Sequence, residues 1–198
     1  MAQRRLSAEA RRAQLIAIAR EVFVEDGYDG AGMEAIATRA GVTKPVLYQH
    51  FESKKELYLA LLGEDMAALQ GRVEGALDSA KTNRERIERG LAAYFEFIEQ
   101  NEGSFHLLFR ETLGSEPDFR EVVERFRDSV AARIGKIIAE ETSLPIQVSE
   151  LLARGVMGMG ESAAQWWLEG RSVDKREVLK DLSELAWRGL SGLPRRES

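Results

Sequence analysis

Apolar residues recur at three- and four-residue spacings along almost the whole chain, and nowhere do they alternate with the two-residue period of a half-buried strand. The pattern predicts an all-α fold of nine helices. Ser7 suits the N-cap of the first and Gly27 its stop, with Leu15, Ile16, Ala19, Val22 and Phe23 sharing one face between them. A second helix over 33–40 has Ile36 as its buried anchor and Gly41 as its end. A very short third helix follows at once. Ser53-Lys54-Lys55-Glu56 has the form of a capping box and opens a fourth helix, which runs to about residue 79 with Gly63 and Gly71 as weak points. Further helices are predicted over 83–100, 104–113, 119–141, 148–169 and 174–190, separated by breaks at 114–118 and 142–145 and by Gly170. Phe95 and Phe97 lie two apart on the fifth helix and cannot face the same way, so one of them is expected to be exposed, at a contact or in a pocket.

The third helix has too little apolar surface to exist mainly for stability. Leu47 and Phe51, four apart, anchor it on one side. Thr43 suits its N-cap, and Pro45 falls in the first turn, where a missing N–H costs nothing. The Thr43 hydroxyl is then expected to cap the N–H of Val46. What remains free suits DNA: Thr43, Lys44, Tyr48 and His50 for phosphates, and Gln49 with the apolar edges of Pro45 and Val46 for bases. The preceding helix completes a helix-turn-helix. Lys54 and Lys55 occupy the first turn of the fourth helix, where cations oppose the helix dipole, and a nearby phosphate would reverse that sign.

Bulk properties narrow the picture without changing it. The 198 residues carry a net charge of −5, which at first sight is wrong for a DNA binder. The charge is unevenly placed: residues 1–55 hold nine Lys or Arg against seven Asp or Glu, and residues 56–198 hold 19 against 26. Screening over about 8 Å at physiological salt lets a local basic surface act independently of an acidic body. There is no apolar run near membrane-spanning length and no secretory h-region behind Arg4 and Arg5, so a cytoplasmic address and no membrane partner are expected. With no cysteine, no disulfide or thiolate metal site exists. Two distant histidines, no His-Glu-x-x-His, no phosphate-cradling glycine loop and no serine elbow leave no enzyme chemistry, no metal and no cofactor to expect.

Read in order, Gly-Tyr (27–28), Ala-Gly-Val-Thr-Lys (40–44), Leu-Tyr-Gln-His-Phe (47–51) and Ser-Lys-Lys-Glu-Leu (53–57) closely resemble the TetR family of bacterial transcription regulators. The match is tight over roughly residues 10–62; beyond that it rests on the number and order of helices. The resemblance implies a nine-helix TetR-like fold, with a helix-turn-helix DNA-binding domain over 1–52 and an effector-binding and dimerisation domain over 53–198. One departure stands out. Many members carry Thr or Ser where this chain has Ala31-Gly32, so the cap of the second helix must come from Gly32 or a backbone amide. Ala-Gly-Met (31–33), Lys-Pro-Val-Leu-Tyr-Gln-His-Phe (44–51), Glu-Leu-Tyr-Leu-Ala (56–60) and Ala-Trp-Arg-Gly-Leu-Ser (186–191) look closer to an actinobacterial branch that includes long-chain acyl-CoA-responsive regulators of fatty-acid synthesis.

The family's last two helices form a four-helix dimer interface. Carried over, this makes Gly155, Gly158, Ala163, Trp167, Leu182 and Leu185 the interface candidates, and it gives the costly glycines of the eighth helix a reason in close helix approach or room for a ligand. A homodimer also follows from DNA geometry, since two reading helices about 34 Å apart meet a near-palindromic duplex. The aromatic-rich body resembles the family's effector domain, with Tyr94, Phe97, Phe105, Phe109, Phe126 and Trp166 as pocket candidates. His106 and Arg110 are the candidates for holding a charged effector, but an elongated apolar pocket fits the composition better. The reading is a dimeric DNA-binding regulator, usually a repressor, gated by a lipid-like effector such as a long-chain acyl-CoA. A small-molecule binding module without DNA function is the alternative.

Overall fold

The computed structural model describes residues 7–106 and 116–192. Among them the chain forms nine helical segments: α1 (Ala8–Gly30), α2 (Met33–Arg39), α3 (Lys44–His50), α4 (Lys54–Ser79), α5 (Asn83–Gln100), α6 (Glu102–His106), α7 (Pro117–Glu141), α8 (Ile146–Gly170) and α9 (Lys175–Ser191). Phe109 and Arg110, named above as candidates, lie outside the described residues, as do Arg4 and Arg5.

Local chemistry explains most of the ends. The Ser7 hydroxyl accepts the N–H of Ala10 at 3.1 Å and caps α1. Gly27 takes φ 71°, a conformation that a side chain would strain, but the chain kinks there and adds one more turn instead of stopping. Thr82 caps α5 through Glu85 N–H at 3.1 Å, and the Glu85 carboxylate reaches back to Lys81 N–H at 2.7 Å. α7 and α8 start two residues earlier than the apolar pattern predicts, because Pro117 and Pro145 open these helices instead of breaking them. At the end of α8 the left-handed residue is Arg171, φ 41°, where Gly170 was expected to stop the helix.

The chain divides into two compact units. One comprises Met1–Met66 with Gly103–Val123, and the other Ala67–Glu102 with Glu124–Ser198. The divisions fall inside α4, α6 and α7, whereas the functional boundary expected from the sequence lies before α4. The first unit is built on Leu15, Ile16, Phe23, Ile36, Leu47, Phe51, Leu57 and Leu61, all buried. Phe23, Tyr28, Tyr58 and Phe119 form a chain of ring contacts with centroids 4.7–6.1 Å apart. This cluster is why the first part of α4 packs with the helix-turn-helix.

In the second unit α5 is buried on more than one side. Phe95 faces Trp167 with ring centroids 6.0 Å apart, while Phe97 lies under the Arg72 guanidinium at 5.4 Å. Both phenylalanines are buried and neither lines this unit's cavity; what sets Phe97 apart is its contact with Arg72.

Candidate nucleic-acid interface and effector cavity

The turn between α2 and α3 follows from Gly41. Its φ of 67° lets its own N–H bond to Thr38 O at 3.1 Å and the N–H of Val42 bond to Ala37 O at 3.0 Å. These two bonds form a Schellman motif, which ends α2 and turns the chain into α3. Gly32 precedes α2 as its N-cap, with no side-chain bond.

α3 is held by buried Leu47 and by Phe51, its C-cap, over whose ring the Arg12 guanidinium stacks at 4.4 Å. Thr43, Lys44, Pro45, Tyr48 and Gln49 are exposed, and Val46 and His50 are half-buried. Tyr48 keeps 43% of its surface open on a short helix, a large area for a ring with no protein face to cover. The nearest acid to Lys44 is Glu34, at 3.9 Å. Thr43 is the N-cap, but its hydroxyl makes no capping bond: the Val46 N–H goes to Thr43 O at 2.9 Å. This corrects the expected cap and leaves the hydroxyl uncommitted.

Lys54 is not available to phosphate in the way its position suggests. Its ammonium donates to Tyr28 O at 2.8 Å, Asp29 O at 3.2 Å and Ala31 O at 3.1 Å, and sits 4.6 Å from the centre of the Tyr28 ring. All three N–H donors are used on the last carbonyls of α1, so Lys54 caps that helix and fixes the entry to α2. Lys55 is likewise engaged, with Glu116 and Asp118 each at 2.5 Å, and these carboxylates hold its ammonium protonated well above the usual lysine range. Half of the expected box forms: Ser53 Oγ accepts Glu56 N–H at 3.1 Å, while the Glu56 carboxylate reaches one residue past Ser53 to accept Glu52 N–H at 2.6 Å. Arg12 was not singled out from the sequence, because only the fold brings it beside the reading helix.

A cavity of about 440 Å³ lies in the second unit between α5, α7 and α8, with Trp187 from α9. Tyr94 and Phe126 line it; Phe97, Phe105 and Trp166 do not. Phe97 and Phe105 are ordinary core, and Trp166 is 57% exposed. Most of the wall is aliphatic, including Leu91, Val130, Ile134, Ile137, Val156 and Met157, and aromatic content gave no signal for these residues. The signal that existed was glycine. Gly90 and Gly160 both line the cavity, and a Cβ on Gly160 would meet Leu91 at 3.1 Å.

Polar groups stand at both ends of the cavity. Partly exposed Asn83, Arg86, Glu141 and Thr142 occupy one end, where Arg86 donates to Asn83. At the other, Tyr94 is buried beside Glu161, which Arg127 grips with two bonds of 2.8 and 3.2 Å. Burial and the Glu161 charge push the Tyr94 phenol well above its usual range.

α8 and α9 present an apolar surface outward. Leu151 is 67% exposed, Trp166 57% and Leu185 63%, and Gly155 and Gly158 lie in the same exposed stripe with open space beside them. Ala163 and Leu182 are half-buried at its margin. Neither tryptophan sits where it was expected: Trp166 does not line the cavity, and Trp167 is buried. Trp167 turns inward and donates to Val173 O at 3.1 Å, while Trp166, one residue or about 100° away around the helix, faces out. Among the described residues no helix is long and apolar enough to cross a membrane.

Comparison with known proteins agrees with this geometry. Residues 15–61 match the bacterial regulatory proteins of the tetR family, and residues 83–189 match the tetracyclin repressor-like C-terminal domain. The chain is 37% identical over 191 residues to the HTH-type transcriptional activator FasR of Mycolicibacterium smegmatis, covering 96% of this chain and 87% of that protein. A TetR-like transcriptional regulator from Rhodococcus sp. RHA1 has a TM-score of 0.77 at 29% identity, over 95% of this chain and all 100% of the other. FadR from Bacillus subtilis in complex with stearoyl-CoA shares the fold, with a TM-score of 0.75 at 20% identity over 88% of this chain and 96% of that one.

Proposed function

The chain belongs to the TetR family of bacterial regulatory proteins, and we propose that it acts in the cytoplasm as a homodimer whose grip on a near-palindromic operator is set by an effector with a long apolar chain. As a member it is a DNA-binding transcriptional regulator and not an enzyme. That sets aside the alternative of a binding module without DNA function. The reading helix is α3. In this reading Thr43, Lys44, Tyr48 and His50 meet phosphates, while Pro45, Val46 and Gln49 meet base edges. Residues 1–52 are the DNA-binding part, and the rest holds the effector and the dimer surface. Leu151, Gly155, Gly158, Trp166 and Leu185 supply an apolar self-contact that two subunits share about a two-fold axis.

The observation that carries the effector class is the cavity. It is walled mainly by aliphatic side chains and runs along α5 from Asn83 to Tyr94, roughly 16 Å at 1.5 Å per residue. A compact polar molecule would leave that wall unfilled; an acyl chain covers it. The stearoyl-CoA held by FadR is of the same class. The sign of regulation is separate from the fold, since FasR is named an activator while repressors share the architecture. Effector binding shifts the population between head spacings that do and do not match successive major grooves.

The test is fluorescence anisotropy on labelled duplex from upstream of the protein's own gene, titrated with stearoyl-CoA at fixed salt. Wild type is expected to change its operator affinity at least about tenfold. Ile134→Trp, which fills the cavity, is expected to bind the duplex without responding. Tight binding that is indifferent to stearoyl-CoA in wild type would remove the acyl-chain reading and keep the regulator.

A further inference from the structure

Tyr94 poses a problem that an unadorned acyl chain does not solve. It lines the cavity, it is buried, and its hydroxyl has no hydrogen-bond partner among the described residues. A buried hydroxyl left unpaired is costly, and native structures seldom tolerate one without a role. The obvious neighbour does not relieve it. Both carboxylate oxygens of Glu161 are engaged by Arg127, and no bond joins Glu161 to Tyr94. The rest of that wall, including Phe126, Gly160 and Leu91, offers no acceptor side chain.

We propose that the effector carries a neutral oxygen, a hydroxyl or keto group, part-way along its apolar chain, and that Tyr94 donates a hydrogen bond to it. The inference rests on the acyl-chain reading above and narrows it to oxygenated chains. A neutral acceptor is specified rather than a second carboxylate, because the Glu161 charge stands beside the phenol. The same charge and the burial hold the phenol proton in place, so Tyr94 is a donor at any physiological pH.

Orientation follows from the two ends. Asn83, Arg86, Thr142 and exposed Glu141 are polar and open to solvent, so the effector's head lies there, where Arg86 can meet an anionic head and Glu141 is free to turn to water. Arg86 and Tyr94 are eight residues apart on α5, so the chain oxygen lies roughly 12 Å from the head group. That distance makes the position along the chain part of the recognition. An oxygen too near the head faces Ile87 and Ile134, where it loses water and gains nothing.

The experiment is calorimetric titration of the full chain with octadecanoic acid and with a positional series of monohydroxylated octadecanoic acids, for wild type and Tyr94→Phe. Wild type is expected to bind one mid-chain isomer about tenfold more tightly than the unsubstituted acid. Tyr94→Phe is expected to lose that preference, so that its affinities for the favoured isomer and for the unsubstituted acid no longer differ. The variant deletes only an unpaired hydroxyl, so it should melt no lower than wild type. The wild-type series decides the matter even if that expectation fails. If wild type binds the unsubstituted acid and no isomer gains over it, the oxygenated-chain inference is overturned and the acyl-chain reading stands. A preference that survives Tyr94→Phe overturns the assignment to Tyr94. If wild type binds none of the acids, the oxygenated-chain inference is overturned, while the acyl-chain reading stands or falls on the stearoyl-CoA titration above.

Discussion

Lys54→Met keeps the aliphatic stem and deletes the ammonium. In the structure that ammonium serves three carbonyls at 2.8–3.2 Å, those of Tyr28, Asp29 and Ala31, and stacks on the Tyr28 ring. A hydrogen bond with one charged partner contributes about 1.5–3 kcal/mol, but carbonyls that are partly open regain water when the lysine goes, so the three together come to about 2–4 kcal/mol. For a chain of this length that corresponds to a melting temperature lower by about 5–15 °C. The competing role makes the opposite forecast. A lysine on phosphate contributes about 0.9 to the slope of log affinity against log salt and little to stability. Thermal melts and a salt titration of operator binding therefore separate the two. The expected result is a lower melting temperature, weaker DNA binding because the entry to α2 is no longer fixed, and an unchanged salt slope. An unchanged melting temperature with a slope shallower by about 0.9 per head would refute the capping role and return Lys54 to the DNA surface.

Thr43→Val should leave stability within about 0.5 kcal/mol, because the hydroxyl caps nothing, yet weaken operator binding several-fold; a large fall in melting temperature would show that the hydroxyl is structural after all. Lys44→Gln and Arg12→Gln should each flatten the salt slope by about 0.9 per head, whereas Arg39→Gln, whose guanidinium is paired with Glu25 at 2.7 Å, should not. Alkaline pH supplies a further check. The folded-state pKa of Tyr94 is raised, so the unfolded chain loses its phenol proton first; stability is intact below about pH 10 and falls above it by about 1.4 kcal/mol per pH unit for that group. Tyr28, raised in the same direction, adds to the decline, and Tyr94→Phe should make the alkaline limb of a urea-unfolding series measurably shallower. Finally, Trp166→Asp with Leu185→Asp should sediment as a monomer and bind the operator at least about tenfold more weakly; an unchanged dimer would place the interface elsewhere.

The fold was legible where chemistry is local. Ser7, Gly41 and Ser53 act at helix ends through atoms within a few residues, so their roles follow from neighbours in sequence. Leu47 and Phe51 could be assigned inward because a seven-residue helix has few ways to bury itself. What failed depended on partners distant in sequence. Lys54 reaches carbonyls 23–26 residues away, and Lys55 meets acids about sixty residues on, so a helix N-terminus that looked made for phosphate is already occupied by the protein. Phe97 and Phe105 are aromatic at helical spacing like Tyr94 and Phe126, and periodicity cannot say which of the four faces a cavity. Trp166 and Trp167 were misplaced for the same reason: α8 has a core side and an outer side, and the apolar pattern marks both.

Charge placement bears on how an acidic chain reads DNA and on the proposed gating by geometry. Residues 1–55 carry nine cations, but the fold commits several to internal partners: Arg20 to Asp65, Arg39 to Glu25, Lys54 to backbone and Lys55 to two acids. Among the described cations of this region, Arg12 and Lys44 make no hydrogen bond to the protein. Among the described residues, one head therefore offers few uncommitted cations to phosphate. In the proposed dimer, two heads act together only when their separation fits the duplex, since joining multiplies affinity through effective concentration and fails when both sites cannot be engaged at once. A head that bound tightly by charge alone would stay on DNA whatever its partner did. In the proposed dimer, a head that depends on its partner for affinity lets a modest change in spacing switch occupancy.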